Sequence, residues 1–227
     1  DAEIRALWEG LEKMGYPFGP LIQLLLLTGV RKSEASDAQW PEFDLARQVW
    51  MVPAERFKSK STHLVPLTKD VLTLLKSLPT FTMGHHLFST SFGQKPVTGF
   101  AKAKLRLDKL MAQELEKAAV PFRLHDIRRT VRTRLASLRI ADEVAEMIIG
   151  HGRKGIQRVY DLHQYESEMR EALELWAARL RDIVIPPLEN VVELKGGKHD
   201  QTILPTEPKQ APRRRGRKRN RRRAASA

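Results

Sequence analysis

The chain has 227 residues, 41% of them hydrophobic, and contains no cysteine. That length suits one sizeable domain with its own core, and the lack of cysteine excludes disulfides, cysteine-ligated zinc and a thiol nucleophile. The formal net charge is +13, but the run from Arg213 to Arg223 holds nine positive charges, and without them +4 remains. A mildly basic body does not by itself indicate a nucleic-acid partner, so that conclusion has to rest on individual residues.

The first third of the chain predicts three helices. Apolar residues recur at helical spacing over 1–14, a largely buried helix follows over 17–27, and a short helix covers 31–39. Gly15 ends the first helix and Thr28-Gly29 ends the second. The longest apolar stretch is far too short to cross a bilayer, so no membrane association is expected.

After residue 45 the sequence pattern changes from helical spacing to short β-type runs, which predicts a small antiparallel sheet. The β-type runs 48–52 and 63–66 indicate a hairpin with residues 55–62 as its long turn, and 86–89 is the expected third strand. Thr68 is a predicted N-cap for a helix that continues to residue 78.

From residue 100 onward the pattern is helical again. Helices are predicted over 100–119, 124–138, 141–149, 156–165 and 166–183, and Gly150 closes the third of them. Residues 186–227 are rich in Pro, Gly, Lys and Arg, which is typical of a flexible segment. We therefore expect a mainly helical α+β domain over 1–185, with a three-stranded antiparallel sheet, followed by a flexible C-terminal segment over 186–227.

Arg31 opens the third predicted helix, where unpaired backbone N–H groups and the helix dipole favour an anion. A guanidinium there suits a phosphate because its fork binds two oxygens at once. Glu34 lies three residues on, hence on the same face, and can hold a basic side chain in place. Alone, this pattern is also typical of an ordinary surface ion pair.

Two further segments carry reactive side chains. His125 and Arg128 are three residues apart, so they project from one helix face and can contact one phosphate, whereas Arg129 points elsewhere. Gly150 lets His151 turn into a cleft, and Tyr160 follows nine residues later. A helical histidine is usually structural or solvent-facing and a lone tyrosine is usually a packing residue, so each signal is weak alone.

Lys58 lies in the turn of the predicted hairpin, and Lys60 lies two residues away. A charged hairpin tip is normally just solvated, but a lysine delivered into DNA on such a hairpin can act as a general acid.

These elements in this order resemble the tyrosine recombinase family, the phage-type integrases, over about residues 1–181. The matching strings are TGVRKSE (28–34), Lys58 seven residues before VPL (65–67), HDIRRT (125–130), and IGH (149–151) with Tyr160 nine residues downstream. Segments 159–165 and 172–177 are similar to the prophage and genomic-island integrases within that family.

The resemblance implies a tyrosine-recombinase catalytic fold and cleavage of DNA by Tyr160 through a 3′-phosphotyrosyl intermediate. It assigns Arg31 and Arg128 to charge stabilisation, Lys58 in preference to Lys60 as the general acid, and Glu34 to support of the pocket. His125 would assist proton transfer or donate to the phosphate, and His151 would donate to a phosphate oxygen. No metal or other cofactor is expected.

The partners implied are double-stranded DNA attachment sites, further copies of the chain in a DNA-bound tetramer, and accessory DNA-bending or excision factors. The expected location is the bacterial cytoplasm, with nucleoid association when bound to DNA. Because the chain begins inside a predicted helix without an initiator Met, we expect a fragment whose N-terminal DNA-clamping domain lies upstream. The expected additional DNA contacts are Lys60, Arg129, Arg213, Arg214 and Arg215, although the tail is also typical of a solvated disordered run.

Two other functions share much of this pattern. A type IB topoisomerase uses the same chemistry but relaxes supercoils without strand exchange, and a non-catalytic DNA-binding module would use the pocket only to grip phosphate.

Overall fold

The structure, a computed structural model, describes residues 1–56, 62–151 and 165–186, and helices dominate these ranges. The predicted mainly helical α+β class is confirmed. The helices are α1 (Ala2–Met14), α2 (Phe18–Thr28), α3 (Lys32–Ser36), α4 (Lys69–Ser77), α5 (Phe100–Leu115), α6 (Leu124–Ser137), α7 (Asp142–Ile148) and α8 (Glu166–Val184). The strands are β1 (Phe43–Asp44), β2 (Val49–Val52) and β3 (His63–Pro66), and a 3-10 turn covers Trp40–Glu42.

Helix α2 forms the centre of the core. Its apolar residues continue around the whole helix, and Leu21, Ile22, Leu24 and Leu26 are all fully buried. A helix that is apolar on every side has to be surrounded, and α2 packs against α1, α4, α6 and α8. Because α2 lies at the centre of the core, its C-terminal end has a fixed position, and so has the turn after it that leads to the candidate site.

Gly29 ends α2 in the left-handed conformation, with φ of 70°. A Cβ at this position would lie 3.0 Å from a methyl of Val131 in α6, so both the backbone conformation and the close approach require glycine. The turn that follows delivers Arg31 to the start of α3.

The sheet has three antiparallel strands in the order β1-β2-β3, with Phe43 opposite Trp50 and Trp50 opposite Val65. The predicted hairpin is confirmed in β2 and β3, whose turn tip (57–61) lies outside the described residues. The predicted third strand over 86–89 is wrong, because β1 takes that place. Residues 87 and 88 are apolar because they are buried in the core, and the only β-pairing of His86 in the described residues is an isolated bridge to Gln39. A short apolar run cannot distinguish a buried loop from a buried strand.

Two helix ends differ from the prediction and one cap agrees with it. Helix α3 ends at Ser36, where the Asp37 backbone N–H turns back to the Ser33 carbonyl, instead of at residue 39. Helix α5 ends at Leu115, since Glu116 adopts a left-handed conformation with φ of 53°. Thr68 caps α4 by accepting a hydrogen bond from the Val71 backbone N–H at 3.3 Å, as predicted.

Helix α8 closes the core by packing against α1, α7 and β3. Its predicted apolar face is buried, and Trp176 is fully enclosed with its indole N–H donating to the Leu26 carbonyl at 2.8 Å. That bond satisfies one of the carbonyls that the last turn of α2 leaves without a helical partner. Most of the helix predicted over 156–165 falls within 152–164, outside the described residues. No helix in the described ranges is both long and apolar enough to span a membrane.

Candidate active site

Arg31 occupies the N-cap position of α3, with an extended backbone at φ −73° and ψ 148°. Its guanidinium Nη1 donates to Glu34 Oε1 at 2.7 Å, and its backbone N–H donates to Glu34 Oε2 at 2.9 Å. Glu34 is 1% exposed whereas Arg31 is 20% exposed at the side chain. One buried carboxylate therefore contacts Arg31 at two points, its guanidinium and its backbone N–H.

Arg128 reaches inward from α6 and is only 4% exposed. Its Nη1 donates to the Gly29 carbonyl at 2.9 Å, and its Nη2 donates to the Ile149 carbonyl. The first carbonyl lies two residues before Arg31, and the second lies two residues before His151. A single guanidinium thus ties together the two turns that carry these residues, using only part of its five N–H donors.

The two arginines influence each other electrostatically. Burial, and to a smaller extent the charge of Arg31, lower the pKa of Arg128 to about 10, although Glu34 and Glu146 oppose the shift. Arg128 nevertheless stays protonated at neutral pH. Arg31 and Arg128 are close enough to repel each other, so an anion bound near both would be stabilised.

His125 lies in the first turn of α6 and is exposed. It lines the same open groove as Arg31, at the meeting of α3, the start of α5 and the start of α6. The structure therefore brings together these two residues, which are far apart in sequence. The lining residues of this groove are Arg31, Lys32, Ser33, Phe100, Ala101, Lys104, Phe122, Arg123, Leu124 and His125.

Three cations of this groove were not singled out from the sequence. Lys32 lies over the ring of Phe100 at 4.7 Å, and Lys104 lies over the ring of Phe122 at 3.8 Å while pairing with Asp108. Arg123 stands beside them at the N-cap of α6. An ammonium over an aromatic face is attracted by the negative face of the ring, so these contacts give the groove a positive lining. The sequence held no short-range signal for it, because each lysine and its ring come from different elements.

His151 follows Gly150, whose φ of 68° turns the chain out of α7. Its backbone N–H donates to the Glu146 carbonyl at 2.8 Å, and its ring Nδ1 lies 3.0 Å from Glu146 Oε2. The ring remains 52% exposed. Gly150 therefore turns His151 out of the helix, and Glu146 meets its ring in a contact that the sequence did not predict. The predicted cleft around His151 stays a prediction.

Several predicted site residues lie outside the described ranges: Lys58, Lys60, Tyr160, Arg213, Arg214 and Arg215. Arg129 is described; its side chain is 77% exposed and pairs with Asp126 at 3.2 Å, so it points away from the pocket. The structure thus pairs Arg31 with Glu34, bonds Arg128 to the turns before Arg31 and His151, and places His125 in the groove with Arg31. Arg129 lies on the surface.

The described residues also show what this site does not contain. Within 1–56, 62–151 and 165–186, no group of three or more histidine, aspartate or glutamate side chains is arranged to hold a metal ion. The carboxylates nearest the pocket, Glu34 and Glu146, are each engaged with a basic side chain.

Comparison with known proteins points to one family. Residues 2–167 match the model of the phage integrase family. Prophage integrase IntZ of Escherichia coli (strain K12) is 28% identical over 188 residues, covering 81% of this chain and 44% of IntZ. The integrase of Enterobacteria phage P4 is 38% identical over 69 residues, covering 25% of this chain and 16% of that protein.

A solved structure shows the same fold. The XerH site-specific recombinase, in a pre-cleavage complex with its difH substrate, gives a TM-score of 0.51 at 17% identity over 73% of this chain and 50% of that chain. The predicted recombinase catalytic fold is confirmed by this similarity. The chain spans less than half the length of the curated relatives that it matches.

Proposed function

The chain belongs to the phage integrase family, and on that premise we propose that it cleaves and rejoins DNA at specific sites through a covalent bond to Tyr160. One observation carries the proposal beyond family membership: Arg128 bonds both the turn before Arg31 and the turn before His151. Three of the residues assigned by resemblance are thus anchored to one another, which is what a preorganised phosphate pocket requires.

The proposed reaction is a phosphoryl transfer in two matched steps. The phenol oxygen of Tyr160 passes its proton to a base, for which His125 is the candidate by resemblance, and bonds to phosphorus as the bond from phosphorus to the 5′ oxygen breaks. This leaves a 3′-phosphotyrosyl linkage and a free 5′-hydroxyl. Attack by a 5′-hydroxyl reverses the step, so rejoining needs no nucleotide cofactor. Arg31 and Arg128 would stabilise the charge that accumulates on the non-bridging oxygens, the part that metal ions take in many nucleases.

The leaving 5′ oxygen needs a proton, and Lys58 is the proposed donor, with Lys60 as its competitor. The base of the hairpin supports this assignment. Arg56, two residues before Lys58, donates to the Glu34 carbonyl at 3.2 Å and pairs with Glu42. The Arg56 side chain thus contacts the residue whose carboxylate holds Arg31.

The other two tyrosines of the chain are engaged in hydrogen bonding or in packing against the core. The Tyr16 hydroxyl donates to the carbonyls of Leu87 and Ser89 and accepts from the Ser89 backbone N–H at 2.8 Å. Burial raises the pKa of Tyr16, and the bond to Ser89 only partly opposes this. Tyr165 is partly buried at the start of α8 and packs against the core. Both observations support Tyr160 as the nucleophile.

Double-stranded DNA is the proposed substrate, and the lysine-lined groove beside His125 suits its phosphate backbone. Lys60, Arg129 and the tail residues Arg213, Arg214 and Arg215 are proposed as additional sequence-independent contacts. We further propose a DNA-bound tetramer, accessory bending or excision factors, action on a prophage or mobile element, and a bacterial cytoplasmic location.

A suicide substrate tests the proposal directly. In a duplex nicked near the cleavage site, attack releases a short fragment that carries the free 5′-hydroxyl, and rejoining is then lost. The covalent complex therefore accumulates and migrates as a shifted band on a denaturing gel. The unsubstituted chain should give this band and Tyr160→Phe should bind the duplex without giving it. A band that persists in Tyr160→Phe and disappears in Tyr165→Phe contradicts the assignment.

Two companion assays separate the related functions. Strand exchange between two attachment sites is expected for a recombinase, whereas relaxation of supercoiled plasmid without exchange would indicate a type IB topoisomerase. Binding without any adduct would indicate a non-catalytic DNA-binding module.

A further inference from the structure

Glu146, near the end of α7, contacts His151 at two points. Its backbone carbonyl accepts the His151 backbone N–H at 2.8 Å, and its Oε2 lies 3.0 Å from the ring Nδ1. Its other carboxylate oxygen accepts from Arg132 Nε at 2.8 Å, and Arg132 is itself held by Asp142 at 2.9 Å. The carboxylate that meets the ring is therefore fixed from behind by a second helix.

Glu146 is ionised in this arrangement. Burial raises its pKa, but the bonds from Arg132 and His151 outweigh that effect, so the net pKa is lowered. An ionised carboxylate can only accept hydrogen bonds. The ring nitrogen that faces it, Nδ1, must therefore carry a proton.

We propose that Glu146 is a positioning residue for strand cleavage, which keeps the proton of His151 on Nδ1 and turns Nε2 towards the scissile phosphate. This inference rests on the function proposed above. With Nδ1 occupied, Nε2 accepts a proton when the ring is neutral and donates to a phosphate oxygen when the ring is charged. Glu146 thus sets which nitrogen takes part in the reaction, without touching the DNA itself.

The same carboxylate acts on Arg128, whose positive charge it favours together with Glu34. The two carboxylates thus support the two ends of the pocket, Glu34 at Arg31 and Glu146 at His151. The Glu146 and His151 side chains are 39% and 52% exposed, and a pair that exposed contributes little to folding. Loss of this pair alone should therefore appear in the reaction. Glu146→Leu also removes the bond from Arg132, whose side chain is 25% exposed, so the unfolding temperature of each variant is measured as well.

Two substitutions separate orientation from charge. In Glu146→Gln the amide oxygen can still accept from Nδ1 but the negative charge is gone, whereas Glu146→Leu removes both. Glu171→Gln, which neutralises an exposed carboxylate on α8, is the matched control for net charge. Each variant is made in the whole 227-residue chain.

The first measurement is the ¹⁵N spectrum of the His151 imidazole, assigned by its disappearance in His151→Asn. The unsubstituted chain and Glu146→Gln should show a protonated Nδ1. Glu146→Leu should shift both ring nitrogens, because nothing then selects Nδ1 for the proton. Spectra that match in all variants would overturn the proposal, and this readout does not depend on DNA cleavage.

The second measurement is the single-turnover rate of adduct formation on saturating nicked duplex. Glu146→Leu should be slower by roughly ten- to a hundredfold, as is usual for loss of a residue that orients a reactive group. DNA affinity should be nearly unchanged, and Glu171→Gln should react at the unsubstituted rate. An unchanged rate in Glu146→Leu would overturn the proposal.

A double-mutant cycle identifies the route of the effect. In the His151→Asn background, Glu146→Leu should cost no further rate, because the residue that it positions is gone. An equal loss in both backgrounds would show that Glu146 acts elsewhere and would overturn the proposal. If the unsubstituted chain forms no adduct at all, the proposed function fails, while the ¹⁵N spectra still decide whether Glu146 selects the protonated nitrogen.

Discussion

Replacing Arg128 with methionine should weaken the fold and the reaction together, because one side chain serves both. Arg128→Met keeps a long side chain but leaves the carbonyls of Gly29 and Ile149 without their guanidinium partner. An unsatisfied buried polar group costs about 1–3 kcal/mol. Removing a buried cation recovers part of that, since its desolvation was unfavourable.

The expected net loss is about 2 kcal/mol, or roughly 4–8 °C in Tm for a domain of this size. Arg129→Met is the matched control for stability, because that side chain is 77% exposed and should change the free energy of unfolding by less than about 0.5 kcal/mol. Thermal and denaturant unfolding of both variants measure the difference.

The same substitution should lower the rate of adduct formation by on the order of 10²–10³, measured well below both melting temperatures. Arg31 would then face the phosphate without its buried neighbour. If Arg128→Met has the same melting temperature as the unsubstituted chain, the bridging role of this arginine is refuted. A variant that melts early but cleaves at full rate would refute its role in charge stabilisation.

Three further results follow from the site. Glu34→Gln should lower the free energy of unfolding by about 1–3 kcal/mol and slow cleavage, because the charge-assisted bond between Arg31 and this carboxylate, which is 1% exposed, is lost. Glu168→Gln, on the surface of α8, is the control. Cleavage should be unaffected by EDTA, since Arg31 and Arg128 supply the positive charge, and a strict Mg²⁺ requirement would contradict that role. Removal of residues 213–227 should weaken binding to every DNA sequence alike, while the cleavage rate of bound DNA stays the same. The slope of log K for DNA binding against log salt concentration should become less steep by roughly 0.9 for each phosphate that the tail neutralises.

The sequence predicted what depends on local chemistry. The periodicity of α1, α2 and α8 and the N-cap at Thr68 are properties of short windows, and all four were located correctly. The pairing of Arg31 with Glu34 follows from their spacing of three residues and was also predicted. The order of the motifs then identified the family, which no single motif could have done.

The features that could not be predicted depend on contacts between distant segments. The bond from Arg128 to the Gly29 carbonyl joins residues 99 positions apart, and nothing near Arg128 indicates it. The wrong third strand has the same origin, because residues 87 and 88 are apolar through burial against the core rather than through pairing. Glu146 was overlooked because its partner lies five residues on, past the end of a helix, where helical spacing no longer applies.

The most direct test of the proposed reaction is mass spectrometry of the protein–DNA adduct formed on a nicked suicide duplex. After digestion with protease and nuclease, we expect a single modified peptide that carries a nucleotide on Tyr160, joined through a 3′-phosphate. A modification on Tyr165, or a linkage through a 5′-phosphate, would contradict it.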